Sequence, residues 1–398
     1  MSVARTFTLS NGISMPSVGR MVRDQATLDA CILEALRSGY RLIDTASVYK
    51  NEVAIGDSLK RILEQNLVPG LTRQDIFLTS KLAPKDQGYD ACYQAVLESL
   101  QNLQVDYIDL YLIHWPGTAK LKLPDPQNAI NRMESWHALE DLYHAKKLRA
   151  IGVSNYTLSH LTQLVERPRR LSHTRSPRSN SQIAGVNSQT AGTSVTGTEA
   201  QMPARTMVVP HVHQFELHPR LLQKDVIQFC QQHRIQVQAY SSLGEGRLIS
   251  QTPPPPPPMD PYYNKAPIPG ALDVMTDLIR KYFPGSFDKS DLRNRYDDVI
   301  ERETEIGMNM DVDLKSMVTV ENDVSKQKEY SKRAAQILLR WGLQHGAIVI
   351  PKSTSPERIR DNIDLFGFEI DTADMNVMDA YSVQGERTRY CWDPTDVC

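Results

Sequence analysis

Long apolar runs, paired cysteines and a charge of one sign are all missing from this chain. Nowhere do about 18 uninterrupted apolar residues occur, which argues against a membrane span, and the start, Met-Ser-Val-Ala-Arg-Thr-Phe, lacks the apolar core of a secretory leader. The five cysteines (Cys31, Cys92, Cys230, Cys391, Cys398) form no Cys-x-x-Cys pair, so neither a disulfide framework nor a zinc site is expected. A formal charge of -2 with 23% charged residues excludes a strongly basic nucleic-acid binder and wholesale disorder. No Gly-x-Gly-x-x-Gly follows a strand, which removes the usual dinucleotide fingerprint. These absences leave a soluble, cytoplasmic protein with a small-molecule partner and no nucleic acid, membrane or metal.

What the 398 residues do contain is repetition. Short aliphatic runs alternate with segments of helical periodicity, the pattern that makes parallel sheet. Strands are predicted at 41–46, 76–81, 108–114, 150–154, 212–217, 236–241, 347–352 and 362–366, and helices at 27–38, 89–103, 136–146, 157–166, 224–233 and 333–344. About eight such units suit a closed (β/α)8 TIM barrel, although a doubly wound open sheet gives similar alternation. Ahead of them, runs at 6–9 and 13–18 flank Ser10-Asn11-Gly12, a hairpin signal placed to cap one barrel end.

Two stretches interrupt a single barrel spanning 1–398. Residues from about 167 to 205 are rich in Ser, Thr and Arg with few large apolar side chains, and are expected to be disordered. The second, from about 251 to 328, opens with six prolines at 253–258 that favour polyproline II geometry and a spacer role. Within it Leu272, Met275, Leu278, Ile279 and Tyr282 fall at helical spacing, predicting one amphipathic helix.

Polar residues stand at the ends of the predicted strands, where such barrels place their sites. Asp44 closes Arg-Leu-Ile-Asp, Lys81 closes Phe-Leu-Thr-Ser-Lys, His114 closes Leu-Tyr-Leu-Ile-His, and Tyr49 follows Asp44 closely. Neighbouring strands lie about 4.8 Å apart, so long side chains at their ends can meet. A tyrosine with its ordinary pKa of about 10 donates a proton poorly near neutrality, and a nearby ammonium favours its phenolate. Lys81 can supply that charge, Asp44 can hold Lys81 protonated, and His114 can orient a carbonyl oxygen. Taken singly, each has a commoner reading as a turn residue, a rim charge or a satisfied core side chain. Their joint placement at strand ends favours the chemical one.

Several longer motifs make a family visible. Gly-Tyr-Arg-Leu-Ile-Asp-Thr-Ala-Ser-Val-Tyr-Lys-Asn-Glu (39–52), Leu-Tyr-Leu-Ile-His-Trp-Pro (110–116), Ile-Gly-Val-Ser-Asn-Tyr (151–156), Gln-Ala-Tyr-Ser-Ser-Leu-Gly (238–244) and Ile-Pro-Lys-Ser-Thr-Ser-Pro-Glu-Arg-Ile-Arg-Asp-Asn (350–362) occur in that order. Together they resemble the aldo-keto reductase superfamily. The resemblance implies an NADPH-dependent reductase of aldehydes or ketones, alcohol dehydrogenase (NADP+)-like and monomeric, with Asp44, Tyr49, Lys81 and His114 as its tetrad and Trp115 on the substrate pocket. It further implies that Ser154, Asn155 and Gln214 hold the nicotinamide carboxamide and that Tyr240 stacks on its ring. Lys352, Ser353, Arg358 and Asn362 would bind the adenosine end, where a lysine and an arginine suit a 2′-phosphate. The chain departs from the family at Val18-Gly19-Arg20-Met21-Val22-Arg23, where a Gly-Thr-aromatic run is usual. That departure keeps open an alternative, a catalytically weak cofactor-binding regulatory or scaffold protein; a phosphate-handling barrel explains fewer of these residues.

Overall fold

Every second residue of the parallel strands points to a common axis, and that period of two organises the molecule. In the computed structural model, which describes residues 5–21, 27–167, 207–249, 271–286, 314–384 and 388–398, eight parallel strands form one sheet. They are β3 (Arg20–Met21), β4 (Leu42–Asp44), β5 (Phe77–Leu82), β6 (Ile108–Ile113), β7 (Leu148–Ser154), β8 (Val212–Glu216), β9 (Gln236–Tyr240) and β10 (Ile348–Val349). Each pairs with the next in chain order. The sheet then closes on itself: Gly19 donates its amide to Val349 at 2.8 Å and Val349 donates to Ser17 at 3.0 Å. The result is the (β/α)8 barrel expected from the alternation.

One expected strand is absent. The run at 362–366 is not a strand, because Ser355 caps and Pro356 opens a helix, Pro356–Ile363, that takes in Asn362. The eighth strand is instead Arg20–Met21, two residues with no β-branched pattern to announce them. Gly19 makes its approach possible, since a Cβ there would stand 2.1 Å from Leu42 Cδ2. Of the atypical 18–23 run, Val22 and Arg23 lie outside the described residues.

Two apolar layers result from the alternation. Leu42, Phe77, Leu110, Leu112, Ala150, Val212, Ile348 and Ile350 fill the barrel, joined by Leu9 and Met15 from the hairpin β1 (Thr6–Thr8) and β2 (Ser14–Pro16). The hairpin therefore plugs the end at which the strands begin, and Asn11 ties it to the Arg149 carbonyl at 2.9 Å. Residues of opposite parity, among them Ile43, Leu78, Tyr111, Ile151 and Val237, pack outward against the helices.

Those helices are α1 (Leu28–Arg37), α2 (Glu52–Glu64), α3 (Tyr89–Leu103), α4 (Gln127–His144), α5 (Leu158–Val165), α6 (Lys224–Gln232), α7 (Ala271–Tyr282), α8 (Leu314–Gln344), α9 (Pro356–Ile363) and α10 (Thr372–Gln384). The amphipathic helix expected inside the second interruption is α7, which buries Leu278 and Ile279. The six prolines and most of the first interruption, 168–206, lie outside the described residues. No helix among the described residues is long and apolar enough to cross a membrane.

Three histidines are buried in one wall of the barrel. His213 accepts the Tyr156 amide at 3.2 Å, His160 holds the Val397 carbonyl at 2.8 Å, and His211 bonds to Ile151 at 3.1 Å. Burial pushes His160 and His211 down to about 4 and His213 down to about 3. Unfolded histidine titrates near 6.5, so below that pH the unfolded chain takes up protons that the folded chain refuses. Stability is therefore expected to fall on acidification, by up to about 1.4 kcal/mol per histidine per pH unit. Urea unfolding midpoints at about pH 7 and about pH 5 check this, before most carboxylates titrate. Equal midpoints would contradict it.

Candidate active site

At the end of the barrel opposite the hairpin, the inward positions change from apolar to polar. Asp44 follows Leu42 on β4, Lys81 follows Phe77 on β5, Ser154 follows Ala150 on β7 and Gln214 follows Val212 on β8. Asp44 and Lys81 are both fully buried, and Lys81 Nζ donates to Asp44 Oδ1 and to the Thr45 carbonyl, the latter at 2.7 Å. Burial pushes the Asp44 carboxyl up from its ordinary range, against the pull of Lys81 and of Gln214, whose Nε2 donates to Asp44 Oδ2 at 2.8 Å.

Tyr49 comes from a single 3-10 turn, Ser47–Tyr49, that carries the chain back over this pair. Ser47 anchors the turn by donating to the Lys81 carbonyl at 2.9 Å. The Tyr49 ring lies 5.6 Å from Lys81 Nζ and meets the His114 ring edge to face at 5.8 Å. The four residues singled out at strand ends thus converge. Tyr49 and His114 face the cleft, while Asp44 and Lys81 lie beneath it.

The residues that the resemblance gives to the nicotinamide join the same hydrogen-bond network. Asn155 holds a left-handed backbone conformation (φ 62°), and its Nδ2 donates to the His114 carbonyl at 2.9 Å and to Ser154 Oγ at 3.0 Å. Its Oδ1 accepts the Tyr240 hydroxyl at 2.6 Å. Burial holds the Tyr240 phenol well above its usual range, so it remains a donor. Gln214 also donates to Gln238 Oε1 at 2.8 Å; Gln238 opens the 238–244 motif and has inward parity on β9, but sequence reasoning gave it no role.

One open cleft of roughly 1870 Å³ joins these groups to the far end of the site. Tyr49, His114, Trp115, Ser154, Asn155, Gln214 and Tyr240 line it at one end, and Lys352, Ser353, Arg358 and Asn362 at the other. The second group lies on the loop after β10 and on α9, with Ser353 Oγ accepting the Ser355 amide at 3.1 Å. Arg20, largely buried, donates to the Ser353 carbonyl, so the first barrel strand props this loop.

Sequence reasoning missed several features of the cleft. Helix α8 brings Lys326, Lys328 and Lys332 to its rim, where Lys328 pairs with Glu357 at 2.7 Å and Lys332 with Asp361 at 3.0 Å. Ser242 lines the cleft with a buried Oγ that has no hydrogen-bond partner among the described residues. The segment 388–398 crosses the barrel mouth, bringing Tyr390, Cys391 and Trp392 into the wall. Among the described residues no group of three or more His, Cys, Asp or Glu is arranged to hold a metal.

Comparison with known proteins places this geometry in context. The model of the aldo/keto reductase family matches residues 9–183 and 190–382. The chain is 31% identical over 376 residues to the uncharacterized oxidoreductase YtbE of Bacillus subtilis, spanning 94% of this chain and 91% of that protein. It is 30% identical over 382 residues to glyoxal reductase of the same organism, spanning 95% and 93%. Among solved structures, an aldo-keto reductase of Bombyx mori in complex with NADP aligns with a TM-score of 0.62 at 25% identity, over 98% of this chain and 96% of that one.

Removing one member of the buried ion pair strands the other. Lys81→Met is expected to cost about 3–5 kcal/mol of stability, and adding Asp44→Asn to recover part of that loss, because the unpaired carboxylate is then gone. Urea unfolding of the two variants checks this. A loss below about 1 kcal/mol for Lys81→Met, or a double variant weaker than the single, would contradict the pairing.

Proposed function

Because the chain belongs to the aldo/keto reductase family, we propose that it reduces an aldehyde or ketone to an alcohol with NADPH, with Tyr49 as the proton donor. The observation that carries the reading is the convergence of Tyr49, Lys81, Asp44 and His114 at one end of a cleft whose other end is cationic. In the Bombyx mori relative the barrel is solved with NADP, and the Bacillus relative is named for glyoxal, a dicarbonyl.

The residues present suit this cofactor. Ser154, Asn155 and Gln214 offer the mixed donors and acceptors that a carboxamide needs, and Tyr240 offers a ring for stacking. Ser242 Oγ, without a hydrogen-bond partner among the described residues, is a hydroxyl able to donate to a phosphate oxygen. Lys352 and Arg358 supply charge for a 2′-phosphate, which favours NADPH over NADH. When bound, the nicotinamide supplies hydride to the carbonyl carbon.

The chain's own residues then handle the proton. Negative charge grows on the carbonyl oxygen, and the Tyr49 hydroxyl gives its proton to that oxygen. The Lys81 ammonium beside the Tyr49 ring favours the phenolate left behind. Asp44 fixes Lys81 in place, and His114, edge to face with Tyr49, donates a hydrogen bond that orients the oxygen. The protein works in this reading as a monomeric cytoplasmic enzyme on a small carbonyl substrate.

Tyr49→Phe is expected to lower kcat by at least about a hundredfold while NADPH affinity stays within about twofold. Following NADPH oxidation with a panel of aldehydes and ketones, alongside a direct NADPH titration, checks this. Wild-type protein that binds NADPH but reduces nothing on the panel would instead make it a cofactor-binding barrel without turnover. A second expectation concerns the cationic end: Arg358→Ala should raise the NADPH Kd by roughly tenfold or more and leave the NADH Kd nearly unchanged. Equal weakening of both would remove Arg358 from the 2′-phosphate.

A further inference from the structure

Glu216 is a fully buried carboxylate at the site end of β8, in register with Tyr240, and the mechanism above gives it nothing to do. Its partners are informative. Glu216 Oε1 accepts the Tyr390 amide at 2.7 Å and the His218 Nε2 at 3.0 Å, and Oε2 accepts the Cys391 amide at 3.1 Å. Two successive backbone N–H groups of the segment crossing the barrel mouth thus end on one buried acid. Hydrogen bonds to an ionised acceptor are about twice as strong as neutral ones.

The neighbours tighten the same grip. The Thr388 amide donates to the Arg220 carbonyl at 3.2 Å, Arg220 Nη1 donates to the Tyr390 hydroxyl at 3.3 Å, and the Tyr390 ring packs 5.1 Å from that of His218. Arg247 also lies over the Tyr390 ring, 5.2 Å from its centre. The far end of the segment is pinned separately, by His160 on the Val397 carbonyl at 2.8 Å and by Arg132 on the Cys398 carbonyl. Trp392, next to the Glu216 clamp, is 77% exposed, the most exposed of the large hydrophobic side chains among the described residues. Its ring stands edge-on to Trp115 at 6.1 Å, and both line the cleft.

An indole left this open at a cleft contributes little to folding; its apolar faces are suited to cover a bound molecule. We propose that Glu216 is a positioning residue for the substrate wall: by holding the Tyr390 and Cys391 amides it sets Trp392 against Trp115, forming a lip that selects planar, apolar carbonyl compounds such as aromatic aldehydes. The proposal rests on the carbonyl-reducing reading of the cleft for its substrate, but the clamp itself does not. Glu216 touches none of the reacting groups, so its loss should act on substrate binding and leave the chemical step alone.

Glu216→Gln, which keeps the size and removes the charge, tests this with benzaldehyde and propanal as the two substrates. Expected are a rise in KM for benzaldehyde of roughly tenfold, little change for propanal, and kcat and NADPH Kd within about twofold of wild type. Hydrogen exchange at residues 388–398 should quicken in the same variant. Trp392→Ala, at an exposed position, should reproduce the benzaldehyde effect, and the double variant should be no worse than either single one. The proposal is overturned if exchange in the segment is unchanged, if KM rises equally for both substrates, or if Trp392→Ala leaves the benzaldehyde KM where it was. If the wild type reduces no carbonyl, the reductase reading fails, yet the exchange measurement still decides whether Glu216 holds the segment. Should Glu216→Gln fail to fold, Trp392→Ala alone decides the lip.

Discussion

A lysine and an aspartate, both fully withdrawn from water, sit at the polar end of an otherwise apolar barrel. Neither charge is tolerable there without the other, and neither can be satisfied by the other alone. The surrounding structure supplies what is missing. The Thr45 carbonyl and the Asp44 carboxylate take up the ammonium, Gln214 covers the second carboxylate oxygen, and Gln238 in turn holds Gln214. Asn155 links the next strand to the His114 carbonyl and to Tyr240. The pair is thus the inner node of one network that reaches six strand ends. It is also what sets a cation beneath the Tyr49 ring.

The inward period of two explains why so much of this was legible in the sequence. Apolar residues at the hairpin end and polar ones at the opposite end follow one another along the same parity, as Leu42 and Asp44 or Val212 and Gln214 do. Strand ends could therefore be read as site positions, and the motifs supplied the roles that the proposed mechanism uses. Gln238 opens one of those motifs, yet nothing local marks its role, because its partner Gln214 reaches it only when β8 and β9 pair. Nor could local pattern reveal the eighth strand. Arg20 and Met21 pair only because Gly19 lets the chain approach Leu42, a contact made with the neighbouring strand β4, more than twenty residues further along the chain. The run at 362–366 failed for the converse reason: its alternation is genuine, but the Ser355 cap and Pro356 commit its first residues to α9.

Features that depend on distant chain segments were the least visible. Glu216 reads as an ordinary strand-end acid until residues 390 and 391 are brought to it, 174 and 175 positions away. Arg20, part of the departure from the family's usual run, reaches the Ser353 carbonyl and supports the loop at the cationic end of the cleft. Lys326 and Lys328 of α8 arrive there from the end of the second interruption, where no motif gives them a role. In each case the side chain is local but its meaning is set by tertiary contact.

In the proposed reaction this cleft passes hydride to a carbonyl carbon. The most direct measurement supplies NADPH deuterated at C4 of the nicotinamide, on the face from which hydride leaves, with an aldehyde in ordinary water, and weighs the alcohol formed. One deuterium is expected on the carbon that was the carbonyl, because hydride passes directly and only the hydroxyl proton comes from the protein. An alcohol carrying no deuterium, or no alcohol despite bound cofactor, would contradict it.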